Sequence, residues 1–229
     1  VLRMDADTVA AARGHEALLK QFTEQNIPIL LGTQMVAKGL DFENVTLVGV
    51  LDADLSLYVQ NYHAAERTYS LLAQVVGRAG RGERAGRAVI QTYHPENEVI
   101  QAAAKQDYEA FYQSELRLRR LRRYPPFADL FTLTVSGSEE LRVIAAARTL
   151  CDALRCESER EPLRALETEV LGPAGAPVVK VNDRYRYCVY LCGRSDSALR
   201  RTVSEYLLAF YARKENRGLD IFADCNALQ

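Results

Sequence analysis

The 229-residue sequence predicts an α/β layer with a parallel sheet, followed by a smaller α+β domain. Three observations point there. Short apolar runs alternate with amphipathic helical stretches through the first half, the pattern of parallel strands joined by helices. A Tyr124-Pro125-Pro126 stop ends a long helical stretch. Beyond it the segments run strand, helix, strand, strand, helix, strand.

The spacing of Ala12, Leu18, Leu19 and Phe22 predicts a helix over Ala11–Gln25. Pro28–Leu31 is a short, fully apolar run, as expected of a buried parallel strand. Thr46–Leu51 is a second strand, and Ala88–Ile90 with Gln91 and Thr92 a third. His63–Val76 is a helix between the last two. Asn97–Arg123 reads as one long helix, with Ile100, Ala104, Phe111 and Leu118 near helical spacing. Proline lacks the N–H and restricts the residue before it, so Tyr124 marks the boundary between a first domain, 1–123, and a second, 124–229. In the second, strands are expected at Phe131–Ser136, near Val170–Leu171, at Tyr187–Leu191 and at Asp220–Ala223. Helices are expected at Glu139–Glu157 and Ser197–Lys214. That order is the split βαβ, or ferredoxin-like, pattern.

A composition of 48% hydrophobic and 26% charged residues, with 13 glycines and 7 prolines, excludes a disordered or collagenous chain. No apolar run approaches the ~18 residues of a membrane span, and VLRMDADTV has no signal-peptide core. The expectation is a soluble, cytoplasmic protein with no membrane partner. Net charge is −1, so any polyanion must be met locally. Arg67, Arg78, Arg81, Arg84 and Arg87 face a single acid, Glu83, before His94. Arg117–Arg123 carries five arginines in seven residues, as either a functional cluster or the solvated end of a helix. Five cysteines without a CxxC pair, far in sequence from the three histidines, give no expected metal site.

The sharpest motif is Gln74-Val75-Val76-Gly77-Arg78-Ala79-Gly80-Arg81-Gly82, at the end of an amphipathic helix. Glycines allow a tight turn, and arginine presents a permanently charged planar fork matched to phosphate oxygens. Two arginines on such a turn, with a neutral glutamine nearby, suit a γ-phosphate whose charge migrates during cleavage. The second motif, Gly32-Thr33-Gln34-Met35-Val36-Ala37-Lys38-Gly39-Leu40-Asp41-Phe42, directly follows the Pro28–Leu31 strand. A small residue and a hydroxyl at a strand's carboxyl end offer N–H and O–H groups to a backbone phosphate. Asp41 could fix an arginine or a ribose hydroxyl. Taken singly, each motif is also compatible with an ordinary turn.

Together, GTQMVAKGLDF and QVVGRAGRG resemble motifs V and VI of the second RecA-like lobe of superfamily 2 helicases. VTLVGVLDADLSL, HAAERTYSLLAQVVGRAGRG, IQTYHPEN and YPPF narrow the resemblance to the PriA family of bacterial replication-restart DNA helicases. VLGPAGAPVVKVNDRYRYCVYL extends it through the second domain. The resemblance implies that Arg81 is an arginine finger, Arg78 its partner and Gln74 a polar contact to the nucleotide region. It implies that Gly32 and Thr33 approach a DNA phosphate, and that Gly39 and Asp41 couple DNA contact to the nucleotide cleft. It also implies ATP and magnesium, 3′-to-5′ movement, fork remodelling and primosome assembly. The implied partners are forked and single-stranded DNA, primosome proteins and the tail of single-stranded-DNA-binding protein.

The sequence departs from that family in two ways. It contains no G-x-x-x-x-G-K-[ST] phosphate loop and no DEAH-like magnesium box. It also lacks the family's cysteine-rich zinc module, which would lie upstream of Val1. The expectation is a C-terminal portion holding half an active site and unable to hydrolyse ATP alone. In KVNDRYRYCVY, strand alternation puts Arg184 and Arg186 on one face and Tyr185 and Tyr187 on the other. With Lys180 the arginines are candidates for DNA or partner contact, and the tyrosines for core packing or, alternatively, for stacking on bases. A binding module without motor role, or another superfamily 2 translocase, are the alternatives; no nucleophile–base pair suggests a metabolic enzyme.

Overall fold

The computed structural model describes residues 1–5, 14–33, 45–59, 61–77 and 86–226. They fall into two compact units, Val1–Val59 with His63–Ser114, and Gln60–Tyr62 with Glu115–Gln229.

In the first unit, β1 (Leu2–Met4) pairs in parallel with β2 (Leu30–Gly32), and α1 (His15–Glu24) lies between them in sequence. β3 (Leu47–Val50) pairs in parallel with β4 (Arg87–Ile90), through a 3₁₀ turn at Ala53–Ser56 and α2 (Ala64–Val76). The parallel pairing follows from the strand–helix–strand alternation. The strands are less covered than an all-apolar run suggests: Leu31, Leu47 and Val89 are exposed. Periodicity reports which residues are apolar; it does not report whether both faces find a neighbour.

The expected long helix Asn97–Arg123 is two helices, α3 (Glu98–Lys105) and α4 (Tyr108–Arg122). Asn97 caps α3 by accepting from the Val99 and Ile100 amides at 2.9 and 3.4 Å. The break is at Gln106, whose φ of 55° is left-handed. Asp107 then accepts from the Ala110 amide at 2.9 Å and restarts the helix. The apolar period runs across this break because Ile100 and Phe111 reach the same core, with Ala53, Tyr69, Leu72, Ala102 and Ala103. Tyr69 and Phe111 stack at 4.3 Å and 13°.

The second unit follows α4 with β5 (Asp129–Gly137), α5 (Glu140–Ser158), β6 (Glu169–Val181), β7 (Arg184–Gly193), α6 (Ser197–Ala212) and β8 (Asp220–Cys225). The sheet order is β6-β7-β5-β8, antiparallel throughout. Phe131, Leu133 and Val135 of the central strand meet Val143, Ala147, Leu150 and Leu154 of α5, and Leu199, Val203 and Phe210 of α6. Each such buried side chain contributes about 1.5–3 kcal/mol of transfer free energy.

β6 is much longer than the stub expected near Val170, and runs for 13 residues with register shifts at Leu171/Ala174 and Gly175/Lys180. Pro173 and Pro177 hid it, since proline within a run argues against a strand except at an edge. β7 also begins earlier, because Asn182 and Asp183 both adopt left-handed φ (48° and 57°) and close a two-residue hairpin.

Candidate functional site

Gln74 is placed by α2. Thr68, Tyr69 and Leu72 form that helix's buried side, and Gln74 lies on its exposed side in the last turn. Inside the helix, the Thr68 hydroxyl donates to the Ala64 carbonyl at 2.8 Å. Gly77 closes the helix, its amide donating to the Ala73 carbonyl at 2.9 Å. Its φ of −67° is ordinary, so the glycine is not there for a left-handed turn. A Cβ at Gly77 would instead sit 2.8 Å from Gln106 Nε2 and 3.1 Å from the Ala73 oxygen. The glycine serves a close approach.

Gly32 ends β2 and Thr33 follows it, both exposed at the carboxyl end of a parallel strand, where ligands of such sheets bind. Arg78 and Arg81, and Gly39 and Asp41, lie outside the described residues. Of the residues expected at the nucleotide and DNA sites, the structure therefore describes Gln74, Gly32 and Thr33 here, on separate elements.

One feature of this unit escapes sequence reasoning. Asp54 is buried, and its carboxylate accepts from the Tyr93 amide and the Thr92 hydroxyl, both at 2.9 Å. The Ala53 amide donates to Gln91 O at 3.0 Å. The loops after β3 and β4 are thus locked together at the carboxyl ends of their strands. The Tyr93 amide, aided by the Thr92 hydroxyl and His94, holds the Asp54 carboxyl below its ordinary range against the burial that pushes it up. Asp52 beside it takes a left-handed φ of 53°. The only sequence signal was the Asp-Ala-Asp triplet, whose buried member shows no apolar period.

In the second unit the three basic candidates separate. Arg184 Nη2 donates to Ser136 O at 3.2 Å and pairs with Asp220. Arg186 donates through Nε and Nη2 to Val178 O at 3.2 and 2.8 Å. Lys180 pairs with Asp183 at 3.0 Å and sits 5.3 Å over the Tyr185 ring. The register sets Lys180 opposite Tyr185, and Val181 opposite Arg184. Lys180 therefore belongs to the tyrosine face, away from the two arginines, and the three do not form one strip. Tyr185 and Tyr187 pack against the core, as core-packing residues should.

The Arg117–Arg123 run is partly structural. Arg119 is 7% exposed. It binds Glu115 at 2.7 Å, Pro125 O at 3.0 Å and Tyr62 O at 3.2 Å. Arg120 covers the Phe127 ring at 4.8 Å, and Arg123 donates to Glu167 O at 2.6 Å. Arginines used this way are indistinguishable in sequence from solvated ones.

Two family models match the chain. The helicase conserved C-terminal domain matches residues 1–83, and the primosomal protein N C-terminal domain matches residues 120–226. The replication restart protein PriA of Bacillus subtilis is 41% identical over 226 residues, covering 99% of this chain and 27% of that protein. The PriA of Synechocystis is 41% identical over 189 residues, covering 81% of this chain and 22% of its own length. That of Chlamydia trachomatis is 45% identical over 136 residues, covering 59% and 18%. The chain spans about a quarter of the length of the first two relatives. Helicase and primosomal matches in succession, within one alignment that runs through nearly every residue, mean that the chain belongs to the PriA family of replication restart proteins.

Proposed function

We propose that this chain supplies the arginine-bearing half of an ATP-driven superfamily 2 DNA helicase motor, joined to a domain that holds DNA or a partner protein during replication restart. The first unit is the second RecA-like lobe of that motor; its parallel strand pairs and intervening helices support the assignment. The second unit is ferredoxin-like, and its sheet order β6-β7-β5-β8 supports that. The observation that carries the reading is α2: a helix fixed by its buried side presents Gln74 in its exposed last turn and ends at Gly77, immediately before Arg78 in sequence.

In this reading Arg81 meets the charge that builds on the γ-phosphate as it is cleaved, with Arg78 beside it. Gln74 contacts the nucleotide region without adding charge. Gly32 and Thr33 offer backbone N–H and a hydroxyl to a strand phosphate, and Gly39 and Asp41 link that contact to the cleft. The 229 residues do not hold a triphosphate by themselves, since they contain no phosphate loop. The cradle and the magnesium-holding acid come from the rest of the protein, as does the cysteine-rich zinc module. Movement is 3′ to 5′, and forked DNA, primosome proteins and the tail of single-stranded-DNA-binding protein are the partners.

Substitution tests this directly. In a full-length PriA protein carrying these residues, Arg81→Ala should lower the ATPase rate by about 10³–10⁵ while DNA binding by the 229-residue chain stays intact. Steady-state ATPase by that chain alone, lost on Arg81→Ala, would refute the half-site reading. A binding module with no motor role is the second reading, favoured by the second unit's self-contained core. It requires Arg81→Ala to leave ATPase unchanged.

A further inference from the structure

β8 forms one border of the second unit's sheet and pairs along its inner side with β5. The Asn226 amide donates to Leu130 O at 2.8 Å, which fixes the alternation along the strand. The main-chain groups of Asp224, Phe222 and Asp220 turn towards β5 with it, and those of Ile221, Ala223 and Cys225 turn outward. Among the described residues, Tyr211 alone bonds to that outward row. Its hydroxyl donates to Ile221 O at 2.8 Å and accepts from the Ile221 amide at 3.1 Å. A hydroxyl is donor and acceptor at once, so one phenol fills the place a neighbouring strand would take.

Tyr211 is brought there by α6. Its neighbour Phe210 is buried in the core and meets the Tyr211 ring edge-on at 5.9 Å. Tyr211 itself lies on the last turn of the helix and is 57% exposed, at the sheet's border rather than beneath it. Burial does not account for that position; the two bonds to Ile221 do.

The outward row is symmetric about Ala223. A second copy running antiparallel about a twofold axis there would pair Ala223 with Ala223, and the Ile221 of each copy with the Cys225 of the other. No carboxylate would face another, since Asp224 would lie opposite Phe222 and Asp220 opposite Asn226. β8 is therefore self-complementary. Sealing Ile221 in each copy removes both Ile221–Cys225 pairs and leaves only the central one, so a single side chain is enough to close the row.

We propose that Tyr211 is a lock on β8, which keeps its outward row from pairing with the β8 of a second copy of this chain. Every contact in the lock lies within the second unit, so it holds whether or not the first unit is part of a helicase motor.

Hydrogen exchange and sedimentation of the 229-residue chain test the lock. In the wild-type chain the Ile221 amide should exchange about tenfold more slowly than those of Ala223 and Cys225, the weight of one ordinary hydrogen bond. Tyr211→Phe, which keeps the ring, should bring Ile221 to the rate of these two in dilute solution and leave the Leu133 and Phe210 amides protected. Unchanged protection at Ile221 would overturn the proposal. Over a dilution series the wild-type chain should sediment as a monomer. Tyr211→Ala, which also clears the ring from the border, should sediment as a concentration-dependent dimer in which Ile221, Ala223 and Cys225 all gain protection. A variant that stays monomeric, a dimer with unprotected Ala223 and Cys225 amides, or a wild-type chain already paired through β8 would each overturn the proposal. Should Tyr211→Ala not fold, sedimentation of Tyr211→Phe decides in its place, since it too frees the Ile221 groups.

Discussion

Asp129 is almost fully buried at the start of β5, and three groups answer its charge. Asn226 Nδ2 donates to Oδ1 at 2.9 Å, Arg200 Nη2 donates to Oδ2 at 3.1 Å, and the nearby Ser195 hydroxyl also favours the charged form. Burial pushes the carboxyl up, but these donors outweigh it and hold it below its ordinary value. A depressed folded pKa contributes stability above the unfolded value, and that stability is lost as pH falls through the folded one. Below about pH 4, the ordinary carboxylate range, the unfolding midpoint should therefore drop less steeply for Asp129→Asn than for wild type. Parallel curves in a urea titration across pH 2–5 would show that Asp129 does not titrate as described. None of this was legible in sequence, because Asp129 on β5, Arg200 on α6 and Asn226 just after β8 meet only in the folded unit.

At the scale of elements, the β6–β7 hairpin shows what sequence can and cannot announce. Asn182 and Asp183 are both tolerant of left-handed backbone, a turn signal that lies between the basic residues Lys180, Arg184 and Arg186. A left-handed conformation costs an ordinary residue about 1–2 kcal/mol, whereas the exposed Lys180–Asp183 pair is worth about 0–1 kcal/mol. The backbone effect wins. Asp183→Gly, which completes an Asn-Gly turn, should raise the thermal midpoint, and a fall would mean the ion pair matters more than the turn. The strong apolar periods of α2, α5 and α6 place these helices within a few residues of their observed ends. The Gln106 break has no such signal, because a left-handed glutamine carries no glycine to mark it, and Ile100 and Phe111 keep the period on either side.

For the molecule as a whole, a net charge of −1 means that the DNA binding proposed above would rest on a few placed cations. Several arginines are already spent internally: Arg119 on Glu115 and two carbonyls, Arg184 on Ser136 and Asp220. Fluorescence anisotropy of the 229-residue chain with forked and plain single-stranded DNA should show salt-dependent binding that favours the fork. The slope of log K against log[salt], about −0.7 to −0.9 per phosphate neutralised, then counts the cations left for DNA. No binding at low salt would leave the second unit as a protein-docking element. The two compact units divide within α4, where Arg119 ties the end of that helix to Tyr62 in the second.

β6 has a bearing on solubility. It is an edge strand of the second sheet, and an edge with regular, unpaired amides is a template for another chain. Pro173 and Pro177 remove two donors, and the two register shifts interrupt the pleat on either side of Gly175. This border of the sheet is poorly suited to growth by strand addition, despite the exposed Leu171, Val178 and Val179 along it. Restoring a donor with Pro177→Val should lower the concentration at which the protein begins to scatter light, and the same prolines that hid the strand from sequence reading would be what keeps the chain dispersed.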